Sequence, residues 1–136
     1  MRTSVDYLGG LRFEVTTRGH RIITDQPLEN GGSDTGMTPP ELLLASLGSC
    51  VGHYAAEYLR ARSLPAEGLK ISVEAEKALT PARLSLFRIR VDVPQVGSTH
   101  RDSLLRTVKH CLIHNTLLRP ADIEVEVETG AHAEAA

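Results

Sequence analysis

Apolar and polar residues alternate along several short stretches of the chain, a pattern that is typical of half-buried β-strands. The first clear stretch is residues 11–16, where apolar side chains occupy every second position. Residues 2–7 and 20–25 flank it, and Arg18-Gly19 matches a two-residue hairpin turn because glycine readily adopts a positive φ. The N-terminal part is therefore predicted to form three antiparallel strands.

A long helix is predicted to follow, from Thr38 to about Arg62. Thr38 is suited to the N-cap, Pro39 to the first helical position, and Glu41 to completing a capping box. Glu41 is thus interpreted as a capping residue rather than a catalytic acid. Residues 42–59 are mostly apolar or small, and a helix that is apolar on more than one face is normally buried. A second subunit is predicted to help bury it.

The alternating pattern returns after this helix. Residues 69–76 and 87–93 predict two strands, with Thr80-Pro81 in the turn between them, and such a pair is typical of an antiparallel hairpin. The same alternation at residues 123–127 predicts a last strand.

A second helix is predicted before that last strand, starting at Ser98 or Thr99 and ending near His114. It carries an apolar stripe at helical spacing, formed by Leu104, Leu105, Val108, Cys111 and Leu112. The order β-β-β-α-β-β-α-β indicates an α+β fold with antiparallel sheets and two main helices. We expect one domain over residues 1–136, with a mobile tail from about residue 130.

Composition narrows the classes of function. The formal net charge is -2 and the chain has no tryptophan, which argues against nucleic acid or an anionic membrane surface as a partner. The N-terminus has no apolar segment of the kind found in signal peptides, so we expect a cytoplasmic protein. The apolar run of the long helix is interrupted by polar residues, and we interpret it as core rather than a membrane span.

Candidate chemistry centres on the two cysteines, each of which is followed three residues later by a histidine. Cys50 precedes His53 and Cys111 precedes His114, so each pair shares one helix face. Three interpretations stay open at this point. The thiols could form a redox pair, the four side chains could bind zinc tetrahedrally, or the cysteines could be ordinary buried apolar residues.

The redox interpretation requires an activated thiolate. Cys50 lies in the middle of its predicted helix, where burial raises a thiol pKa and the helix dipole helps little. We therefore expect a nearby cation, for which Arg18, Arg21 and His53 are the candidates. Cys111 is expected late in its helix without help from the dipole, which suits a resolving cysteine.

Two segments together resemble a known family. The run GGSDTGMTPPELLLASLGSC, followed later by HCLIHNTL, is similar to the OsmC/Ohr family of osmotically inducible and organic hydroperoxide resistance proteins. The resemblance implies an intertwined α+β homodimer with the long helices at its centre, and a thiol-dependent peroxidase for organic hydroperoxides. It implies that Cys50 is the peroxidatic cysteine, that Cys111 resolves it, and that Arg18 is the nearest match to the activating arginine. It also implies regeneration by dithiols such as protein-bound lipoyl groups, with no metal or other cofactor.

The chain departs from the peroxidases of this family at one position. Pro40 stands where they have a glutamate, and Glu41 is displaced by one residue. This places the chain nearer the OsmC-like branch and implies that activation of Cys50 comes from the Arg18 hairpin or a partner subunit. The alternative function is a non-enzymatic redox sensor, or a dimer that binds a small apolar ligand.

Overall fold

The N-terminal strands form an antiparallel sheet in the order β1-β2-β3 in the computed structural model, which describes residues 1–130. The strands are β1 (Ser4–Gly9), β2 (Arg12–Thr17) and β3 (His20–Thr24). Arg18 and Gly19 form the predicted turn between β2 and β3, with φ values of 51° and 82°. The predicted tail lies almost entirely outside the described residues.

One face of this sheet is apolar and uncovered within the chain. Cross-strand pairing places Val5, Val15 and Ile22 side by side, and Tyr7 beside Phe13. These five residues are called the N-terminal apolar face below. Tyr7 is 66% exposed and Val5 is 59% exposed, so the face is not part of the core of a single chain.

The loop between β3 and the long helix is organised by a buried carboxylate that the sequence analysis did not single out. Asp25 is 1% exposed and accepts hydrogen bonds from the Gln26 and Ser33 amides and from the Thr35 amide and hydroxyl, at 2.7–3.2 Å. Burial raises the Asp25 pKa, but these hydrogen bonds outweigh it and lower the pKa to about 2. The carboxylate therefore stays ionised and fixes the path of the GGSDTG segment.

The long helix, α1 (Pro39–Ala61), begins as predicted. The Thr38 backbone N–H donates to Glu41 Oε2 at 2.7 Å, and Thr38 Oγ1 accepts from the Glu41 backbone N–H at 3.4 Å. The structure thus confirms the predicted capping box, in which Glu41 caps the N-terminus of α1. Neither α1 nor any other helix within residues 1–130 is long and apolar enough to cross a membrane.

The second sheet is a hairpin of β4 (Lys70–Leu79) and β5 (Ala82–Asp92), which confirms the predicted pair. Its inward side chains pack on α1, which approaches closely at two glycines. A Cβ added at Gly48 would lie 3.1 Å from Val73 Cγ2, and one added at Gly52 would lie 3.3 Å from Ile71 Cγ1. The missing side chains at these helix positions let the helix and sheet come together.

The core lies between α1, this hairpin and the C-terminal helices. Its buried residues lie on the inner faces of α1 and α2 or, for Cys111, between α2 and α3. They are Leu47, Val51, Ala55, Tyr58, Leu59, Leu104, Val108 and Cys111. Full burial of a leucine or valine side chain contributes about 1.5–3 kcal/mol to the free energy of unfolding.

The predicted second helix is in fact two helices. A 3-10 turn at Ser98–His100 leads into α2 (Arg101–Val108), and α3 (Leu112–Leu118) starts after a break at Cys111. The prediction of one continuous helix, starting at a Ser98 or Thr99 cap, was wrong. The apolar stripe is real only in part, because Leu105 is 44% exposed and Leu112 is exposed beyond the break.

The predicted last strand at residues 123–127 is not formed. Ile123, Val125 and Val127 are 80–86% exposed and pair with no strand within the described residues. The alternating pattern is present, but a strand requires a neighbouring strand to donate and accept hydrogen bonds, and residues 1–130 provide no such pairing for this segment.

Candidate active site around two thiols

The structure brings together the two cysteines of the sequence. Cys50 lies on α1 one turn after the buried Leu47, at the edge of the core, and is partly exposed. Cys111 lies between α2 and α3 and is fully buried. The two thiols lie close enough for each to shift the pKa of the other, and both cysteines are free.

The helix break places Cys111 at the N-cap of α3. Its backbone is non-helical, with φ -53° and ψ 128°, and its Sγ accepts a hydrogen bond from the His114 backbone N–H at 3.4 Å. The prediction that Cys111 lies late in a helix was therefore wrong. The unpaired backbone N–H groups at the start of α3 point toward the thiols instead.

The groups that lower the Cys50 pKa are these amides and the Cys111 thiol, rather than the cation that we expected. Burial raises the Cys50 pKa, but the Cys111 thiol and the Ile113 and Leu112 backbone N–H groups hydrogen bond to Cys50 and lower its pKa overall. Hydrogen-bond donors stabilise the thiolate because its charge is concentrated on sulfur. The sequence analysis missed Leu112 and Ile113, because backbone donors leave no signal in residue type.

The pKa of Cys111 is shifted in the opposite direction, upward. Burial raises its pKa, and the neighbouring Cys50 raises it further, whereas the His114 and Ile113 backbone N–H groups lower it only in part. The pair therefore consists of a partly exposed thiol that ionises more readily and a buried thiol that retains its proton. Each sulfur receives two backbone donors, so the asymmetry follows from the deeper burial of Cys111 and from its thiol acting as a donor to Cys50.

None of the three predicted cations reaches Cys50 within the described residues of one chain. Arg18 lies in the β2–β3 turn, whereas α1 packs on β4, β5, α2 and α3. Arg21 lies 3.9 Å from Glu14, and His53 is mostly exposed with its Nε2 3.9 Å from Glu57. A role for Arg18 therefore stays a prediction that requires another subunit.

The zinc interpretation finds no assembled site in residues 1–130. No group of three or more His, Cys, Asp or Glu side chains is arranged to hold a metal ion there. The two thiols meet, but His53 is largely solvent-exposed. The His114 backbone, rather than its imidazole, hydrogen bonds to sulfur.

An apolar groove of about 640 Å³ lies between β5 and the three helices, and neither cysteine is among the residues that line it. Leu47, Phe87, Leu117 and several other apolar side chains line it, and Lys109 and His114 are its basic members. His114 Nδ1 is buried yet has no hydrogen-bond partner, which is true of no other buried side-chain nitrogen or oxygen in the described part of the chain. The groove is open to solvent along one side of a single chain.

Solved structures share this fold. A protein of Psychrobacter arcticus named for an osmotic stress and detoxification response aligns at TM-score 0.77 and 26% identity, covering 84% of this chain and 85% of its own. An organic hydroperoxide resistance protein OsmC of Legionella pneumophila aligns at TM-score 0.61 and 20% identity, covering 88% and 90%. OhrB of Bacillus subtilis, an organic hydroperoxide resistance protein, aligns at TM-score 0.58 and 17% identity, covering 94% and 98%.

The sequence comparisons give one clear result. A search of curated proteins found no match. The family described as OsmC-like protein matches residues 31–126, a segment that begins in the loop before α1 and contains both cysteines. The extent of that match, together with the shared fold, shows that this chain belongs to the OsmC-like protein family.

Proposed function

We propose that the protein is a thiol-dependent peroxidase that reduces organic hydroperoxides in defence against oxidative stress. One observation carries the proposal: two free thiols lie next to each other, and their surroundings shift their pKa values in opposite directions. A low-pKa, accessible thiol beside a second cysteine is the arrangement that a peroxidatic and a resolving cysteine require. The related structures named for organic hydroperoxide resistance support the choice of substrate.

The proposed reaction begins with the Cys50 thiolate attacking the terminal oxygen of the hydroperoxide. The O–O bond breaks, Cys50 is oxidised to a sulfenic acid, and the remaining alkoxide takes a proton to leave as an alcohol. Cys111 then attacks the sulfenic sulfur, forming a disulfide and releasing water. A dithiol reductant, of the lipoyl type, returns both cysteines to thiols. Turnover of cumene hydroperoxide with dihydrolipoamide tests the whole cycle.

A second function is favoured by the large apolar groove. The same thiols could serve a non-enzymatic redox sensor, or the groove could bind a small apolar ligand. A sensor consumes one equivalent of hydroperoxide in a burst and then stops in the presence of the dithiol. Continued consumption over many equivalents favours the peroxidase.

Alkylation of Cys50 by iodoacetamide is expected to show a pH midpoint below that of an ordinary thiol, about 8.5. The lowered Cys50 pKa means that the reactive thiolate is already present at lower pH, and the rate rises as pH passes through that pKa. Removing a hydrogen-bond donor in Cys111→Ala is expected to raise the midpoint. Cys111→Ser, which keeps a donor, is expected to shift it less. An unshifted midpoint in the native protein would count against activation.

The active unit is proposed to be a homodimer. The N-terminal apolar face, the groove and the unpaired residues 123–127 all leave apolar surface exposed in one chain. Exposed apolar area of this kind normally marks an interface. In a dimer, the β2–β3 hairpin that carries Arg18 in one subunit could lie near Cys50 of the other subunit. Within a single chain, that hairpin does not pack on α1.

Light scattering after gel filtration is expected to give twice the chain mass for the native protein. Tyr7→Lys is expected to shift the mass toward one chain, because it places a charge on the N-terminal apolar face. Asp6→Lys is the matched control, since residue 6 is adjacent in sequence but faces the other side of the sheet. A native protein of single-chain mass would contradict the dimer.

A further inference from the structure

Residues 122–128, called the C-terminal segment below, have the side-chain pattern of a β-strand but no strand partner. Ile123, Val125 and Val127 alternate with four acidic residues, and the three apolar side chains are exposed. The backbone of the segment pairs with no strand within residues 1–130. Unpaired N–H and C=O groups beside an apolar alternation are typical of a strand that adds to the edge of a sheet elsewhere.

Strand β5 has a free edge that such a segment fits. It pairs with β4 on one side, and its other edge has no strand partner within residues 1–130. Helix α1 packs mainly on β4, whereas the open apolar groove lies between β5 and the helices. A strand added at the free edge of β5 would therefore extend the sheet across this groove. Its inward side chains would cover exposed leucines of the groove wall, such as Leu105 and Leu117.

Charge favours the edge of β5 over the free edge of β4. The exposed residues of β4 include Glu74 and Glu76, whereas those of β5 include Arg88 and Arg90. Opposite charges on neighbouring strands stabilise a sheet, and like charges directly opposite each other destabilise it. An acidic strand is therefore attracted to β5 and repelled by β4.

One register satisfies both faces of the extended sheet. When residues 123–127 lie opposite residues 87–91, in either strand direction, the three apolar side chains of the segment meet the three inward apolar side chains of β5. The two glutamates between them then lie opposite the two arginines of β5. Each arginine already hydrogen bonds to one carboxylate of its own sheet, but a guanidinium has five N–H donors and can accommodate a second.

We propose that the C-terminal segment of one subunit adds as a strand to the free edge of β5 in the other subunit. This proposal rests on the homodimer proposed above and names a contact that joins the two chains. The segment is assigned to a second copy because it pairs with no strand of its own chain within residues 1–130. In a dimer with two-fold symmetry, each chain donates one strand and receives one.

Two charge-reversed variants test whether the pairing occurs between chains. The first carries Glu124→Arg with Glu126→Arg, and the second carries Arg88→Glu with Arg90→Glu. Either variant alone places like charges opposite each other, so the added strand is repelled. In a mixed dimer of the two variants, the reversed segment meets the reversed β5 and the native segment meets the native β5. Co-expression of the two variants is therefore expected to restore the pairing.

Hydrogen exchange of the C-terminal segment, followed by mass spectrometry, reports the pairing, because a strand amide exchanges slowly when it is hydrogen bonded. In the native dimer these amides are expected to exchange more slowly than unpaired ones by about 10-fold or more. Each variant alone is expected to lose most of this protection, and the mixed dimer to regain it. A matched control reverses two exposed charges elsewhere, Glu29→Arg with Glu67→Arg, and is expected to keep the protection.

Three results would overturn the proposal, and each identifies a different error. If all four reversals in one chain restore protection but mixing the two variants does not, the segment pairs with β5 of its own chain. Rapid exchange of the segment in a native protein that light scattering shows to be a dimer removes the strand addition and leaves the homodimer intact. A native protein of single-chain mass removes the homodimer and the strand addition together.

Discussion

Cys50→Ser is expected to abolish steady-state reduction of cumene hydroperoxide, with a loss on the order of 10³-fold or more. A serine hydroxyl in the same place would receive the Leu112 and Ile113 amides but would remain protonated, and an alcohol does not attack peroxide oxygen at useful rates. The assay follows peroxide consumption with dihydrolipoamide as reductant. Turnover retained in Cys50→Ser would refute the proposed mechanism.

Cys111→Ser serves as the matched variant because it retains the shape of the pair and a hydrogen-bond donor to Cys50. The first oxidation is expected to survive as a burst of about one equivalent of peroxide, since only Cys50 is needed for it. Turnover with dihydrolipoamide is expected to fall, and Cys50 to proceed to the sulfinic acid under excess peroxide. Mass spectrometry of the residue 50 peptide distinguishes these products.

Gly36→Ala is expected to destabilise the fold by about 3 kcal/mol, the upper part of the usual range for overpacking. A Cβ at residue 36 would lie 2.2 Å from the Ile23 carbonyl oxygen and 2.7 Å from its carbon. These are backbone atoms of β3, so relief requires moving the strand or the loop. The neighbouring pairing of Thr24 with Met37 would be disturbed as well.

Gly97→Ala is the control for the stability measurement. Its φ of -63° suits alanine, and the nearest atom to an added Cβ is Thr99 Oγ1 at 3.8 Å. Urea denaturation under reducing conditions, at one protein concentration, gives the free energy of unfolding of both variants. If Gly36→Ala unfolds within about 0.5 kcal/mol of Gly97→Ala, the packing argument at residue 36 fails.

Much of the fold could be predicted because its signals are local. The period-2 alternation of the β4–β5 hairpin, the Arg18-Gly19 turn and the Thr38 capping box each depend on residues within a few positions of one another. The structure confirms all three. The last strand was predicted from an equally clear alternation, and it is absent because its pairing depends on a surface outside its own sequence.

The break between α2 and α3 could not be predicted from the sequence, for a different reason. Residues 101–118 carry an apolar stripe that a continuous helix would also satisfy, so periodicity could not locate the interruption between Val108 and Leu112. Only packing against α1 favours the broken form, in which Cys111 becomes buried against Cys50.

The sequence by itself determined the α+β class, the capped central helix and the two thiols with their family resemblance. Those properties depend on residue type and spacing, which can be read directly from the sequence. The tertiary structure decided what lowers the pKa of Cys50: the thiol of Cys111 and the amides of Ile113 and Leu112, rather than a cation of the same chain. Every residue carries a backbone N–H, so only folding can decide which ones are unpaired and lie against a sulfur.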